Sequence, residues 1–338
     1  MNILFTCAGR RNYLIDYFKE ALNGEGKVVV ADMQKSAPAM ASADVGYVVP
    51  EVYSNNYIDT LIDICNKENV KAIFSLNDLE LPILAQKKEV FSSHGVKVIV
   101  SSPTIIDTCF DKWKTNKFAE SIGLNVPKTY LSIERAKQAI ESGEVNFPLV
   151  IKPRWGSASI GIEFPLNLEE LELSFKLLRK KVERSILGRA SSSDIENSIM
   201  IQEKISGKEF GLDILNDLEG NNIVVYVKEK LAMRAGETDK AVLVNIPVVE
   251  AMGQSIGLNL RHIGNLDCDI MENEGKYYFL EMNPRFGGGY PFTHLTGGNF
   301  PLALIKLLKG ETLNESLFVK KYGQAFSKAD RLIPIKLL

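Results

Sequence analysis

The sequence predicts an open α/β domain followed by a region of α+β character, and three observations lead to that prediction. Over the first hundred residues, short apolar runs alternate with longer amphipathic runs, which is the pattern of βαβ units on a mostly parallel sheet. From Pro127 onward the pattern changes and strand-like runs follow one another. The length of 338 residues agrees with two or three domains.

The first domain is predicted to contain five short strands, at 3–5, 28–31, 47–49, 72–74 and 96–100. Between them, apolar residues at helical spacing predict helices over 13–22 and 57–68. A break at Pro103 precedes a further predicted helix over 111–122, which ends at Gly123 as helices often do.

The second region begins with a predicted strand over 147–153, followed by a loop of small residues over 155–161. A charged helix is predicted over 168–181, and the polar, serine-rich segment 188–198 is predicted to be a mobile surface loop, with a linker as the alternative. Further strands are predicted at 198–203, 210–215, 223–227 and 241–246, before a hairpin within 265–289.

Composition and charge exclude several classes of protein. Hydrophobic residues make up 45% and charged residues 24% of the chain, near globular averages, which excludes disordered and fibrous proteins. The formal net charge of −2 gives no overall electrostatic reason to bind nucleic acid or an acidic membrane. The four cysteines lack metal-binding spacing, as expected of reduced thiols in a cytoplasmic protein. Neither a signal peptide nor a membrane helix is expected.

Three weaker signals lie in the first domain. Gly9-Arg10-Arg11 follows the first strand, but a dinucleotide-binding fingerprint needs three glycines. Two interpretations remain: a plain turn, or a site at which Arg10 binds an anionic group of the substrate. Asp78 and Glu80 follow the strand 72–74, where open sheets bind ligands. They are candidates for binding an amine, with a solvated helix start as the alternative.

The strongest chemical signal is the predicted carboxylate hairpin. Asp267 and Asp269 are two residues apart on one strand and therefore share a face, while Glu281 and Asn283 lie on the returning strand. Carboxylate and amide oxygens are the ligands that Mg²⁺ uses while it keeps waters and binds substrate phosphates. Arg285 would then neutralise a transferred phosphoryl group.

Two upstream segments carry a related signal. Lys152 ends a strand just before the small-residue loop 155–161, whose backbone N–H groups can approach a phosphate closely. The segment 202–205 ends another strand with a polar main chain, and Glu209 follows as an acid able to accept hydrogen bonds from a ribose.

In this order, the motifs resemble the ATP-grasp superfamily. The stretch DKWKTNKF (111–118) is similar to the helix of that family that opens with Asp-Lys, and FPLVIKPRWGSASIG (147–161) to its first phosphate-binding lysine and flexible loop. QEKISGKEF (202–210) resembles its adenine hinge and ribose acid. Through AGRR and NPRFGGGYPFTHLTGGNFP, the chain also resembles single-unit proteins like the carbamoyl-phosphate synthase large subunit.

The resemblance implies a domain organisation. Residues 1–105 would be a Rossmann-like domain that precedes the ATP-grasp fold, and 106–310 would be a two-subdomain ATP-grasp fold. Within it, a lid-like subdomain would span about 125–205 and a C-terminal subdomain about 206–310, with 311–338 as a C-terminal extension.

The resemblance also implies ATP and one or two Mg²⁺ ions, with Mn²⁺ as a substitute. The implied residues are Lys112, Lys152, Ser157 and Ser159 for the phosphates, Gln202, Glu203, Ile205 and Glu209 for the nucleoside, Asp269, Glu281 and Asn283 for the metal, and Arg285 for the transferred group. Lys114 is an alternative to Lys112. The segment 232–240, predicted as a charged loop, would face the acceptor. There, Arg234 would bind a carboxylate or acyl phosphate beside Glu237, unless the two form only an ion pair at the rim.

The function that follows from the resemblance is an ATP-dependent ligase. It would activate a small carboxylate as an acyl phosphate, release ADP and join the acyl group to an amine or amino acid. One alternative is activation of bicarbonate and carbamate, as in one half of the synthase; another is an ATP-binding sensor or partner-binding protein without turnover. Small carboxylates and amines are the expected partners, without nucleic acid or membrane, and a homodimer is compatible with the resemblance.

Overall fold

A computed structural model describes residues 1–156 and 161–335, and its first domain is built on a parallel sheet. The strand order is β3-β2-β1-β4-β5. The strands are β1 (Asn2–Thr6), β2 (Val28–Asp32), β3 (Val45–Val48), β4 (Val70–Ser75) and β5 (Lys97–Val98). The order reverses between β1 and β4, so the loops after these two strands border a crevice of the kind that binds ligands in open α/β sheets. The predicted open α/β domain is confirmed.

Helices cover both faces of this sheet and lead out of it. They are α1 (Asn12–Leu22), α2 (Pro38–Ser42), α3 (Tyr57–Lys67), α4 (Leu81–Gln86), α5 (Lys88–Ser93), α6 (Pro103–Phe110) and α7 (Lys112–Ser121). Helix α7 begins directly after Asp111, whose carboxylate accepts hydrogen bonds from the backbone N–H groups of Trp113 and Lys114. This cap fixes Lys112 at the first position of the helix.

A small antiparallel sheet of order β6-β8-β7 follows. Its strands are β6 (Thr129–Tyr130), β7 (Leu149–Pro153) and β8 (Ile199–Glu203), with helices α8 (Ile133–Glu141), α9 (Leu168–Glu183) and α10 (Ile186–Ala190). The segment 188–198, predicted as a surface loop, is instead partly helical. Helix α10 and a 3₁₀ turn at Ile195–Asn197 occupy most of it, and Asp194 forms a 2.8 Å ion pair with Arg154.

The largest sheet has six antiparallel strands in the order β13-β12-β9-β10-β11-β14. They are β9 (Lys208–Asn216), β10 (Asn222–Arg234), β11 (Glu237–Leu243), β12 (Gly264–Asn273), β13 (Lys276–Asn283) and β14 (Ala325–Ser327). The associated helices are α11 (Pro247–Leu260), α12 (Tyr290–Leu295) and α13 (Phe300–Leu308), and a 3₁₀ turn lies at Glu315–Leu317. Strand β14 adds the C-terminal segment to the edge of this sheet.

Two tight hairpins shape the sheet. The predicted hairpin of β12 and β13 turns at Glu274-Gly275, where both residues have positive φ. The predicted loop over 232–240 is instead a second hairpin, because Ala235 and Gly236 also adopt positive φ and allow β10 to return directly as β11.

The first domain packs on the large sheet through aromatic side chains. Phe18 of α1 lies in one core cluster with Phe286, Tyr290 and Phe300, and the Phe18 and Phe286 ring centroids are 5.8 Å apart. This packing holds the loop after β1 against the segment that follows β13. Among the described residues, none of the helices has the length and apolar composition needed to cross a membrane.

Candidate active site

A cavity of about 640 Å³ is lined by residues of both antiparallel sheets and by Arg11 of the first domain. Ten of the residues predicted from the sequence line it: Lys152, Gln202, Glu203, Ile205, Glu209, Glu237, Asp269, Glu281, Asn283 and Arg285. Lys112 adjoins the cavity through Glu281, because its Nζ lies 4.0 Å from Glu281 Oε2. Ser157 and Ser159 fall outside the described residues.

The strands of the large sheet place polar and apolar side chains on opposite faces. Across β12 and β13, Asp269 pairs with Glu281 and Asp267 pairs with Asn283, so all four side chains project to one face. The intervening residues Leu266, Cys268 and Ile270 are fully buried on the other face, where they join a core cluster with α11. One alternating pattern therefore builds both the core and the floor of the cavity.

The pair Asp269 and Glu281, together with Asn283, suits Mg²⁺ because it supplies two carboxylates and an amide oxygen. A bulge at Leu280 lets this residue line the cavity beside Glu281. Within 1–156 and 161–335, no three His, Cys, Asp or Glu side chains form a complete metal site. An ion held by this pair would therefore take its remaining ligands from water and substrate.

Two lysines supply positive charge next to this pair. The Lys112 ammonium donates to the carbonyl oxygen of Gly156, at the start of the small-residue loop. Lys152 is 7% exposed, burial lowers its pKa to about 8, and no described residue forms an ion pair or hydrogen bond with its ammonium. Burial alone would raise the pKa of Glu281, but these lysines and Lys230 lower it. An unpaired buried ammonium favours an anionic ligand.

We expect a Lys152→Met variant to bind the complex of Mg²⁺ with the ATP analogue AMP-PNP on the order of 10- to 100-fold more weakly. The reason is that a hydrogen bond to a charged group contributes about 1.5–3 kcal/mol. Isothermal titration calorimetry on both proteins gives the ratio. Lys71→Met, at an exposed position of β4, is the matched control. Equal affinities of wild type and Lys152→Met would remove Lys152 from the phosphate site.

Sequence reasoning missed Lys230, which lies at the centre of the charged face. Its Nζ is 2.6 Å from Asp269 Oδ1 and 2.7 Å from Glu209 Oε1. Burial raises the pKa of Asp269 to about 7 in spite of this ammonium. The sequence contained a signal for this residue, because Lys228 and Lys230 are two residues apart on β10 and so share a face. Their partners lie on β9 and β12, and the register of these strands determines which residues they are.

Arg285 is held between the two domains. Its guanidinium forms ion pairs with Asp78 of the first domain at 2.8 Å and with Asp267 at 3.2 Å. Burial alone would lower the pKa of Arg285, but these two carboxylates raise it. Gly287 makes room for Asp267, because a Cβ at Gly287 would lie 2.2 Å from the Asp267 carboxyl carbon. Asp78, predicted as a substrate residue, does not line the cavity itself but forms an ion pair with Arg285, which does.

The residues predicted for the nucleoside line the cavity where β8 ends. Gln202 Nε2 donates to Thr129 Oγ1 at 2.8 Å, and the Glu203 carboxylate accepts from the backbone N–H of Lys128 at 3.2 Å. The apolar side chains that complete this wall are Val150, Ile162, Phe164, Ile205, Met271 and Leu280. A slot with an apolar wall beside polar main chain can hold an aromatic base.

Three predicted residues are not brought to the cavity. Arg234 is half-exposed at the tip of the β10–β11 hairpin and pairs with Asp239 and Asp330, each at 3.0 Å. Glu80 is fully buried in the first domain, where its carboxylate accepts hydrogen bonds from Thr6, Ser75 and Tyr57. Arg10 is exposed, and its neighbour Arg11 lines the cavity instead.

Comparisons with known proteins agree with this architecture. Residues 145–293 match the family described as the ATP-grasp domain, and residues 3–99 match the family described as the PylC-like N-terminal domain. The chain is 26% identical over 321 residues to the carbamoyl phosphate synthase large chain of Haemophilus ducreyi, and the match covers 88% of this chain and 28% of that one. It is 25% identical to the N-terminal section of the large chain of Aquifex aeolicus, of which it covers 54%. The chain thus spans about half or less of the length of these relatives.

Solved structures share the fold. The biotin carboxylase domain of the 2-oxoglutarate carboxylase of Hydrogenobacter thermophilus, in complex with MgADP, ADP and bicarbonate, matches with a TM-score of 0.76 at 17% identity. This match covers 96% of this chain and 73% of that one. The L-amino acid ligase of Bacillus licheniformis matches with a TM-score of 0.69 at 21% identity, over 91% of this chain and 75% of that one.

Proposed function

We propose that this chain, which contains an ATP-grasp domain over residues 145–293 preceded by a PylC-like N-terminal domain, is an ATP-dependent carboxylate–amine ligase. A substrate carboxylate would attack the γ-phosphorus of ATP, giving an acyl phosphate and ADP. An amine would then displace phosphate and form a C–N bond. The first step requires charge neutralisation and positioning rather than a strong acid or base.

The observation that carries the proposal is the arrangement of charge in one cavity. The unpaired, buried ammonium of Lys152 lies beside the Asp269 and Glu281 pair, and Arg285 adjoins the same face. Lys152 and Lys112 would hold the phosphates, while Asp269, Glu281 and Asn283 would hold Mg²⁺. When bound, Mg²⁺ neutralises phosphate charge and polarises phosphoryl oxygens.

Arg285 would stabilise the charge of the transferred group. Its two carboxylate partners, Asp78 and Asp267, fix the guanidinium plane before substrate binds, which avoids reorganisation during the reaction. The wall around Gln202 to Ile205 would hold the adenine, and Glu209 would accept hydrogen bonds from the ribose. Glu209 would exchange part of its contact with Lys230 for this role.

Activation of bicarbonate is the second candidate, because the matched relatives are carbamoyl phosphate synthase large chains. A chain that spans only 28% of the Haemophilus ducreyi relative would carry out at most part of its activity. The same cavity would then bind bicarbonate in place of a larger acid.

Product analysis across a matrix of substrates tests the proposal. The chain is incubated with Mg²⁺ and ATP, with carboxylates that include bicarbonate and common amino acids, against ammonia and amines. We expect ADP and phosphate for a particular pair, and ADP dependent on bicarbonate and ammonia would favour the second candidate. AMP with pyrophosphate, or no turnover across the matrix, would overturn the proposed ligase.

A further inference from the structure

The part of the cavity nearest the first domain presents a positive charge without a carboxylate partner. Arg11, from the loop after β1, lines the cavity, and its guanidinium donates to the carbonyl oxygen of Leu76. In the described part of the chain, no carboxylate lies within ion-pair distance of Arg11. Arg285 and Arg154, in contrast, each pair with two carboxylates. Arg11 is therefore positioned to bind an anionic group of a ligand.

A buried hydroxyl without a partner lies in the same region. The Tyr13 hydroxyl oxygen is buried and makes no hydrogen bond to any described residue. Tyr13 follows Arg11 by two residues, at the start of α1. The Nε of Arg285 is also buried without a described partner. Buried polar atoms are rarely left unpaired, and Arg285 lines the cavity, so its Nε indicates where a ligand accepts a hydrogen bond.

A carboxylate faces these groups. Glu237, at the start of β11, lines the cavity and packs against Gly288, where a Cβ would lie 3.0 Å from the Glu237 carboxyl carbon. Its Oε2 pairs with Lys328 at 3.1 Å, and no described residue engages Oε1. Burial alone would raise the pKa of Glu237, but Lys328, Arg11 and Arg10 lower it, so the group stays ionised near neutral pH.

A ligand for this region must satisfy both signs of charge. A simple carboxylate, or bicarbonate, would pair with Arg11 and leave its negative charge facing Glu237. A simple amine would pair with Glu237 and face Arg11. Each mismatch places two like charges opposite each other across the cavity, which is unfavourable. A molecule that carries both a carboxylate and an ammonium group matches both.

We propose that Arg11 and Glu237 form a subsite for a free amino acid, with its carboxylate on Arg11 and its ammonium group on Glu237. This inference rests on the proposed ligase function and names the class of one of its substrates. Arg11 comes from the first domain and Glu237 from the β10–β11 hairpin, so the subsite exists only where the two regions meet.

Calorimetric titration of the full chain with Mg²⁺ and AMP-PNP present tests the subsite. The probes are the twenty protein amino acids, γ-aminobutyrate and β-alanine. For each amino acid that binds, the acid lacking the amine and the amine lacking the carboxylate are tested too. We expect at least one amino acid to bind, and each of its two analogues to bind on the order of 10- to 100-fold more weakly. Rejection of every amino acid, or equal binding of an analogue, overturns the subsite.

Two variants separate the roles of the charges. Glu237→Gln is expected to weaken binding of the amino acid and the amine about 10-fold or more, while the amine-free acid binds equally or more tightly because a like charge is removed. Arg11→Gln is expected to weaken binding of the amino acid and the acid, while the amine binds equally or more tightly. Loss of affinity for all three probes alike in either variant contradicts the assignment. Arg11→Lys and Glu237→Asp repeat the test if either neutral variant fails to fold.

Matched control variants and a titration with nucleotide alone distinguish failure of the subsite from failure of the proposed ligase. Arg184→Gln and Glu89→Gln change the same residue types at exposed positions outside the cavity and are expected to match the wild type. Titration with Mg²⁺ and AMP-PNP alone is run on every protein. A wild type that does not bind this nucleotide overturns the proposed ligase itself, whereas one that binds it and rejects every amino acid overturns the subsite alone.

Discussion

A Glu281→Gln variant is expected to form ADP about 10³-fold more slowly than the wild type. Glu281 is the direct cross-strand partner of Asp269 and adjoins the ammonium of Lys112, so it is charged, partly buried and next to the phosphate lysines. Glutamine keeps its size and one oxygen but removes the charge. Metal ions contribute several kcal/mol of charge stabilisation to such transition states, and each 1.36 kcal/mol is tenfold in rate.

The same variant gives a second readout that a general loss of structure would not give. Because Glu281 is the carboxylate nearest Lys112 in the described residues, its neutralisation leaves more unbalanced positive charge. Binding of ATP in EDTA is therefore expected to be equal or tighter, while binding in Mg²⁺ weakens. Glu274→Gln, in the exposed turn of the same hairpin, is the control. A Glu281→Gln enzyme with wild-type turnover would refute the metal-site assignment.

A Gly287→Ala variant is expected to lose on the order of 10²-fold in kcat/KM, whereas Gly289→Ala stays within about threefold of the wild type. A methyl group at 287 would lie 2.2 Å from the Asp267 carboxyl carbon, so that carboxylate must move away from Arg285. Loss of one preoriented charge contact at a reacting group costs about 10²–10³-fold. At 289, a Cβ would meet its nearest neighbour, Thr238 Oγ1, at 3.6 Å, an ordinary contact.

Steady-state kinetics and thermal unfolding of the two alanine variants, measured together, test this expectation. Gly289 has a φ of −83°, which alanine also adopts, so its substitution controls for a methyl group in the same loop. Overpacking at 287 is expected to cost about 1–3 kcal/mol of stability as well. If Gly287→Ala and Gly289→Ala show the same kcat/KM, the Asp267 and Arg285 pair does not support the reaction.

Much of the fold and part of the site could be predicted because local pattern determines them. The alternation of Asp267, Asp269, Glu281 and Asn283 with apolar neighbours requires one polar and one buried face, and a tight turn at Glu274-Gly275 brings the two strands together. The open α/β domain followed from the spacing of short apolar runs, and the structure confirms it.

The remaining features depend on contacts between distant parts of the chain. Lys230 could not be assigned, because its partners Asp269 and Glu209 lie on two other strands. The choice of Arg11 over Arg10 depends on how the loop after β1 meets the large sheet, which the two adjacent arginines do not reveal. Arg234 was predicted for its charge, but a two-residue turn places it at an exposed hairpin tip.

The transfer of ¹⁸O from the substrate carboxylate to inorganic phosphate tests the central claim most directly. The carboxylate that supports turnover in the substrate matrix is labelled with ¹⁸O, and phosphate is examined by ³¹P NMR. The proposed acyl phosphate predicts one ¹⁸O atom in each phosphate released, because the carboxylate oxygen that attacks the γ-phosphorus leaves with it. Label found in AMP, or phosphate without label, would contradict the mechanism.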